Sequence, residues 1–197
     1  MTTIVYLHGF RSSPASEKAR ALQQFVDTLP AAARPRLCVP DLETGPAADV
    51  AGVARWVEAN AEGPLALVGS SLGGFYATAL AERFGARAVL VNPAVHPYDD
   101  LAPYLGPQTN LYTGRVFEVT RAHFDELRAL AVARLTDPSR YLLYLQTGDE
   151  VLDWHVACAF YGGAWQCVEG GGDHGYQGFE RHLATILRFA ASGFASR

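Results

Sequence analysis

The sequence predicts a three-layer α/β fold, a mainly parallel sheet of about six strands with helices on both faces. Three observations lead there. Short uninterrupted apolar runs, bounded by glycine, proline or asparagine, read as strands buried on both faces. Longer stretches between them carry apolar residues at helical spacing. The two kinds of segment alternate along most of the chain, which builds right-handed βαβ crossovers and hence a parallel sheet.

Taken in order, Thr3 to Leu7 is β-branched and apolar, and forms the first strand. Ser13 is placed as an N-cap and Pro14 as the first helical position of a helix reaching about Leu29. Its inward face is Ala19, Leu22, Phe25, Val26 and Leu29. A short second strand spans Arg36 to Pro40, and a helix follows from about Ala47 to Asn60. Gly63-Pro64 stops that helix, and Leu65 to Val68 is the third strand. A further helix leaves Gly74, and Ala88 to Val91 is the fourth strand, closed by Asn92-Pro93. Helical spacing returns from Arg121 to Leu135, and Tyr141 to Thr147 is the fifth strand. A helix running to about Tyr161 precedes the last strand, Ala164 to Val168. The terminal helix, Gln177 to about Ala191, turns Phe179, Leu183, Ile186 and Leu187 inward.

Residues 94–120 break the alternation. Pro97, Pro103 and Pro107 limit regular structure there, while Tyr98, Tyr104, Tyr112 and Phe117 supply apolar surface. The segment reads as a small lid inserted after the fourth strand, beside the turn at Ser71, or else as a loop packed on the core.

Composition narrows the function classes. A chain of 197 residues suits one domain, residues 1–197, with a sizeable core. The net charge of -4, with no basic cluster, argues against nucleic acid as a partner. No window approaches the roughly 20 apolar residues of a membrane span. The first residues run straight into a strand, with neither a basic start nor a cleavage site. Cys38, Cys158 and Cys167 form neither a zinc spacing nor a disulfide framework. A cytoplasmic location, with no metal or cofactor, is therefore expected.

The chemistry centres on Gly69-Ser70-Ser71-Leu72-Gly73, a G-x-S-x-G between a strand and a helix. Such a corner is a nucleophile elbow, which lifts the serine oxygen above the sheet, and its glycines admit the close backbone approach. A serine needs a base within hydrogen-bond reach, and the base needs an acid to fix its tautomer. His174, in a glycine-rich loop after the last strand, is the expected base. Three acids compete to orient it. Asp149 comes first after the fifth strand, Asp153 is also well placed as an N-cap, and Glu150 lies between them and is expected to point outward. Asp149 is the preferred choice. His8 follows the first strand and is assigned to shaping the oxyanion loop, while His96, His123, His155 and His182 are expected to be solvated or structural. The expected oxyanion donors are the backbone N–H groups of Phe10 and Leu72. Phe10, Tyr98, Tyr104 and Tyr112 are the candidate pocket residues.

These motifs together resemble the small bacterial YqiA-type esterases of the α/β-hydrolase superfamily. The likeness rests on Tyr6-Leu7-His8-Gly9-Phe10, Ser12-Ser13-Pro14, Val68 to Gly74, Val91 to Val95, Tyr112-Thr113-Gly114, Gln146 to Asp153 and Gly171 to His174. It runs in order over nearly the whole chain, with Asp173 standing where asparagine is expected before the histidine. The resemblance implies hydrolysis of carboxylic or thioester bonds, acyl-CoA among the candidates, by Ser71, Asp149 and His174. The alternatives are an acyltransferase with the same triad and a hydrolase-fold protein that binds a small ligand without turnover.

Overall fold

The computed structural model describes residues 1–100 and 102–194; Leu101, inside the candidate lid, and residues 195–197 lie outside the described set. The first half of the chain runs β1 (Thr3–Leu7), α1 (Glu17–Thr28), β2 (Arg36–Cys38), α2 (Pro46–Asn60), β3 (Leu65–Ser70), α3 (Leu72–Phe84) and β4 (Arg87–Val91). The short helix α4 (Pro97–Asp100) and the strands β5 (Gly106–Thr109) and β6 (Val116–Val119) follow. The remainder is α5 (Arg121–Leu130), β7 (Tyr141–Gln146), α6 (Trp154–Phe160), β8 (Trp165–Glu169) and α7 (Leu183–Ser192).

Six strands form one sheet in the order β2-β1-β3-β4-β7-β8, each neighbouring pair parallel. Side chains along a strand point alternately to the two faces, so the sheet divides the core. Val5, Leu7, Leu67, Leu90 and Leu143 pack with α2, α3, α5 and α6. Ile4, Tyr6, Val68, Val89 and Tyr144 pack with α1 and α7. Each fully buried side chain of this size contributes about 1.5–3 kcal/mol, which is why runs such as Leu65–Val68 carry no polar residue. No described helix is long and apolar enough to cross a membrane.

Several boundaries differ from the sequence expectation. Helix α1 begins at Glu17, because Ser13 instead closes a turn, its Oγ accepting the Ala15 N–H at 3.1 Å. Helix α5 ends at Leu130 rather than Leu135. The terminal helix begins as a 3-10 turn over Phe179–His182 before α7. Residues 94–120 are more regular than their prolines suggest, since β5 and β6 pair as an antiparallel hairpin. Pro107 is tolerated because this two-stranded sheet has only edges.

The hairpin is bolted to the loop after β1. Arg11 Nε donates to the Thr109 carbonyl at 3.0 Å, and the Leu111 N–H donates to the Arg11 carbonyl at 2.9 Å. Asn110, 1% exposed, donates from Nδ2 to the Ser12 carbonyl at 2.7 Å and to Glu43 Oε1 at 2.6 Å. Its Oδ1 accepts the N–H groups of Tyr112 and Thr113, so the whole amide is engaged.

Candidate active site

Ser71 sits at the turn from β3 into α3 with φ 55° and ψ -124°, a backbone conformation that costs an L-residue free energy. Its neighbours hold it there. The Ser71 N–H donates to the Val91 carbonyl at 3.1 Å, and its carbonyl accepts from the N–H groups of Gly74 and Ala94 at 2.9 and 3.1 Å. The corner closes only around glycine. A Cβ on Gly69 would stand 2.2 Å from the Gly73 carbonyl oxygen, and one on Gly73 would stand 2.0 Å from that of Leu7.

The structure brings Ser71, His174 and Asp149 together from three separate loops. Ser71 Oγ lies 3.0 Å from His174 Nε2, and His174 Nδ1 lies 2.9 Å from both Asp149 oxygens. A carboxylate only accepts, so Nδ1 carries the proton and Nε2 presents its lone pair to the serine hydroxyl. The Asp149 carboxylate is 2% exposed and the His174 side chain 22%. Asp149 Oδ1 also accepts the N–H groups of Val151 and Leu152, both at 2.9 Å, which holds its rotamer independently of the imidazole.

The competing acids take other roles. Asp153 caps α6, accepting the His155 N–H at 2.9 Å. Glu150 is exposed, yet its Oε2 accepts the His174 backbone N–H at 2.9 Å, a contact to the base loop that the sequence does not foretell. Asp173 accepts from Gln177 Nε2. Among the described residues neither the Phe10 nor the Leu72 backbone N–H donates to a protein acceptor. Leu72 follows the serine directly, and Gly9, the neighbour of Phe10, packs against it, since a Cβ on Gly9 would stand 3.2 Å from Ser71 Cβ.

Two buried amides anchor the loop that carries His174. Asn92, at the end of β4 with φ 40°, donates to the carbonyl oxygens of Asp173 and His174 and accepts the Gln146 N–H. Gln146 Oε1 accepts the N–H groups of Asp173 and Gln177 at 3.2 and 2.8 Å. Its Nε2 donates to the Gln177 carbonyl and to Glu169. A Cβ on Gly172 would meet Gln146 Oε1 at 2.0 Å, so the loop passes directly over this amide. The sequence signal for both is a polar residue at the carboxyl end of an otherwise apolar strand.

A cavity of about 260 Å³ opens beside the elbow, walled by Phe10, Leu72, Tyr76, Phe117, Val119 and Leu127 among others. Of the candidate pocket residues only Phe10 lines it. Tyr104 packs edge-on against the Phe10 ring, centroids 5.5 Å apart, and so supports the wall from behind. Tyr98 turns to a different depression, its hydroxyl near His96 and its ring under Arg128. Tyr112, 47% exposed, faces outward because Asn110 binds its backbone and leaves its ring free. His8 is buried beside the cavity, and His123 caps α5 at Thr120. No group of three or more His, Cys, Asp or Glu among the described residues is arranged to hold a metal ion.

The family described as "Uncharacterised protein family (UPF0227)" matches residues 3–191. Solved structures share the architecture over nearly the whole chain. A protein from Agrobacterium vitis S4, provisionally assigned as a hydrolase, is 19% identical with a TM-score of 0.76, covering 96% of this chain and 88% of its own. Mouse alpha/beta hydrolase domain-containing protein 10 is 19% identical with a TM-score of 0.71, covering 95% and 88%. The esterase domain of a Rhodothermus marinus protein is 17% identical with a TM-score of 0.69, covering 98% and 87%. The fold is that of the α/β-hydrolases.

Proposed function

Since the chain belongs to the YqiA family (UPF0227), we propose that it is a serine hydrolase cleaving small to medium acyl esters or thioesters through an acyl-enzyme on Ser71. One observation carries this reading: the continuous hydrogen-bonded line from Ser71 Oγ through His174 to Asp149. An esterase domain among the structural neighbours supports the choice of ester chemistry.

On this reading each step falls to a named group. His174 Nε2 takes the Ser71 proton as Oγ bonds to the substrate carbonyl carbon. Asp149 holds the imidazolium and its orientation. The negative charge on the carbonyl oxygen falls to the Phe10 and Leu72 N–H groups, each such donor being worth about 3–4 kcal/mol in the transition state. His174 then gives its proton to the departing alcohol or thiol. Water, deprotonated by the same imidazole, attacks the acyl carbon and releases the acid and free Ser71. The 260 Å³ cavity is smaller than the roughly 300–1,000 Å³ of drug-sized sites, which favours short acyl groups. In the hairpin of the candidate lid, Phe117 and Val119 wall that cavity and so limit acyl size.

A fluorophosphonate probe tests the assignment by adding once, at Ser71, as read by intact mass and peptide mapping. An adduct that persists in Ser71→Ala, or none in the native protein, refutes it.

A further inference from the structure

His174 is gripped by two acids that are neighbours in sequence. Asp149 takes its imidazole, with Nδ1 2.9 Å from both carboxylate oxygens. Glu150 takes its backbone, Oε2 accepting the His174 N–H at 2.9 Å. Asp149 Oδ1 also bonds the N–H groups of Val151 and Leu152, so one closed turn spans Glu150 and sets the direction of both side chains.

The loop of His174 needs such ties. Gly170-Gly171-Gly172 leads into it without a side chain to pack, so its backbone is held group by group. Gln146 Oε1 accepts the Asp173 N–H, and Asn92 Nδ2 donates to the Asp173 and His174 carbonyls. Lys18 Nζ, reaching over from α1, donates to the Gly175 carbonyl at 2.6 Å. Among the described residues the His174 N–H has one acceptor, and it is Glu150.

Exposure separates this bond from the others. Asn92 and Gln146 are buried, and losing either strands polar groups where water does not reach. Glu150 is exposed, so water can take the N–H in its place and the fold loses little. A water does not fix a direction, however. A carboxylate tethered to the Asp149 turn does, through a charge-assisted bond to the backbone from which the imidazole projects.

We propose that Glu150 is a positioning residue: by holding the His174 backbone N–H it keeps the imidazole at proton-transfer distance from Ser71. The inference rests on reading Ser71 as the nucleophile and His174 as its base.

Three variants at this one position test it. Glu150→Ala removes the acceptor, Glu150→Asp keeps the charge but draws it back by a methylene, and Glu150→Gln keeps the reach and an acceptor oxygen without the charge. Glu150→Ala and Glu150→Asp should lower kcat on ethyl butyrate by about 10–100-fold with KM nearly unchanged, and slow fluorophosphonate labelling of Ser71 in step. Glu150→Gln should recover most of that loss, and melting temperatures should stay close to the native value throughout. An unchanged kcat in Glu150→Ala, a raised KM, or a loss that follows the melting temperature overturns the proposal. So does a Glu150→Gln enzyme as slow as Glu150→Ala, which would give the effect to charge alone. The ring is also read apart from turnover, by the His174 Nδ1 proton in ¹H NMR of Ser71→Ala protein. Its exchange with water should quicken when Glu150→Ala is added and slow again with Glu150→Gln, and equal exchange overturns the positioning role. A wild type that cleaves no ester and takes no probe removes the serine reading instead, while the exchange measurement still decides whether Glu150 holds the histidine.

Discussion

Asn92 holds His174 by its backbone: the amide nitrogen donates to the His174 carbonyl at 3.2 Å and to the Asp173 carbonyl at 3.0 Å. The imidazole is thus aimed by a residue that never touches it. Asn92 is 2% exposed and keeps φ at 40°, where asparagine is among the few tolerated side chains.

Replacing Asn92 should therefore act on turnover more than on binding. Asn92→Asp keeps an acceptor for the Gln146 N–H but turns a second oxygen towards two carbonyls. We expect it to lower kcat more than tenfold with KM nearly unchanged, and to slow fluorophosphonate labelling of Ser71 in step. Far-ultraviolet circular dichroism checks that the fold survives. A raised KM with normal kcat would show that the residue serves binding instead.

Asp149→Asn should keep the fold and lower turnover by about 10⁴-fold, because an amide nitrogen facing Nδ1 selects the wrong tautomer. Asp153→Asn should retain most activity, since asparagine caps a helix about as well as aspartate. Steady-state kinetics of the pair decide it, and a reversed order would move the orienting role to Asp153.

Substrate size should depend on the hairpin residue that reaches the cavity. Phe117→Ala ought to shift the preferred chain among two-, four-, eight- and twelve-carbon esters, by about 10–200-fold per methylene-sized contact. Tyr112→Ala, on the exposed side, should leave the profile as it was. A shift in Tyr112→Ala would mean that its ring turns inward around substrate.

Acid should weaken the fold through His8. Burial lowers its folded-state pKa below the ordinary 6.5, partly offset by the Gly9 carbonyl and by Asp41, Asp49 and Glu43. Above that value both states are neutral and His8 adds no pH dependence. Below it the unfolded chain gains a proton that the folded one refuses, so stability falls until the pH drops past the folded value. Urea midpoints between about pH 7.5 and 5.5 should decline, and less steeply in His8→Leu. His182, likewise lowered chiefly by burial, leaves a residual slope. Parallel curves would place the dependence elsewhere.

Much of this was legible in the residues because strand and helix periods are local. The runs Leu65–Val68 and Ala88–Val91 can be little else than buried strands, and a glycine-flanked serine after one of them has few structural uses. That His174 and Asp149 would meet Ser71 followed from their places after strands, beyond whose ends such sheets hold their ligands. The hairpin was not legible: Gly106–Thr109 and Val116–Val119 are short, and their pairing depends on Asn110 bonds to Ser12 and Glu43, far away in sequence. For the same reason Tyr112 looked like a pocket residue, although it does not line the cavity beside the elbow. Asn92 and Gln146 were visible only as polar residues ending strands, because their work is to bind backbone of a loop from another part of the chain.

Ser71, the proposed nucleophile, precedes His174, its proposed base, by 103 positions. On a ribosome adding about 5–20 residues per second, the base therefore emerges about 5–20 s after the serine. Throughout that interval the nascent chain holds an unactivated alcohol and no more. On that reading reactivity begins in one late event, when the loop bearing His174 docks on Asn92 and Gln146 at the carboxyl ends of the central strands. A polypeptide released early, short of that loop, would lack the proposed base however well its first strands have paired.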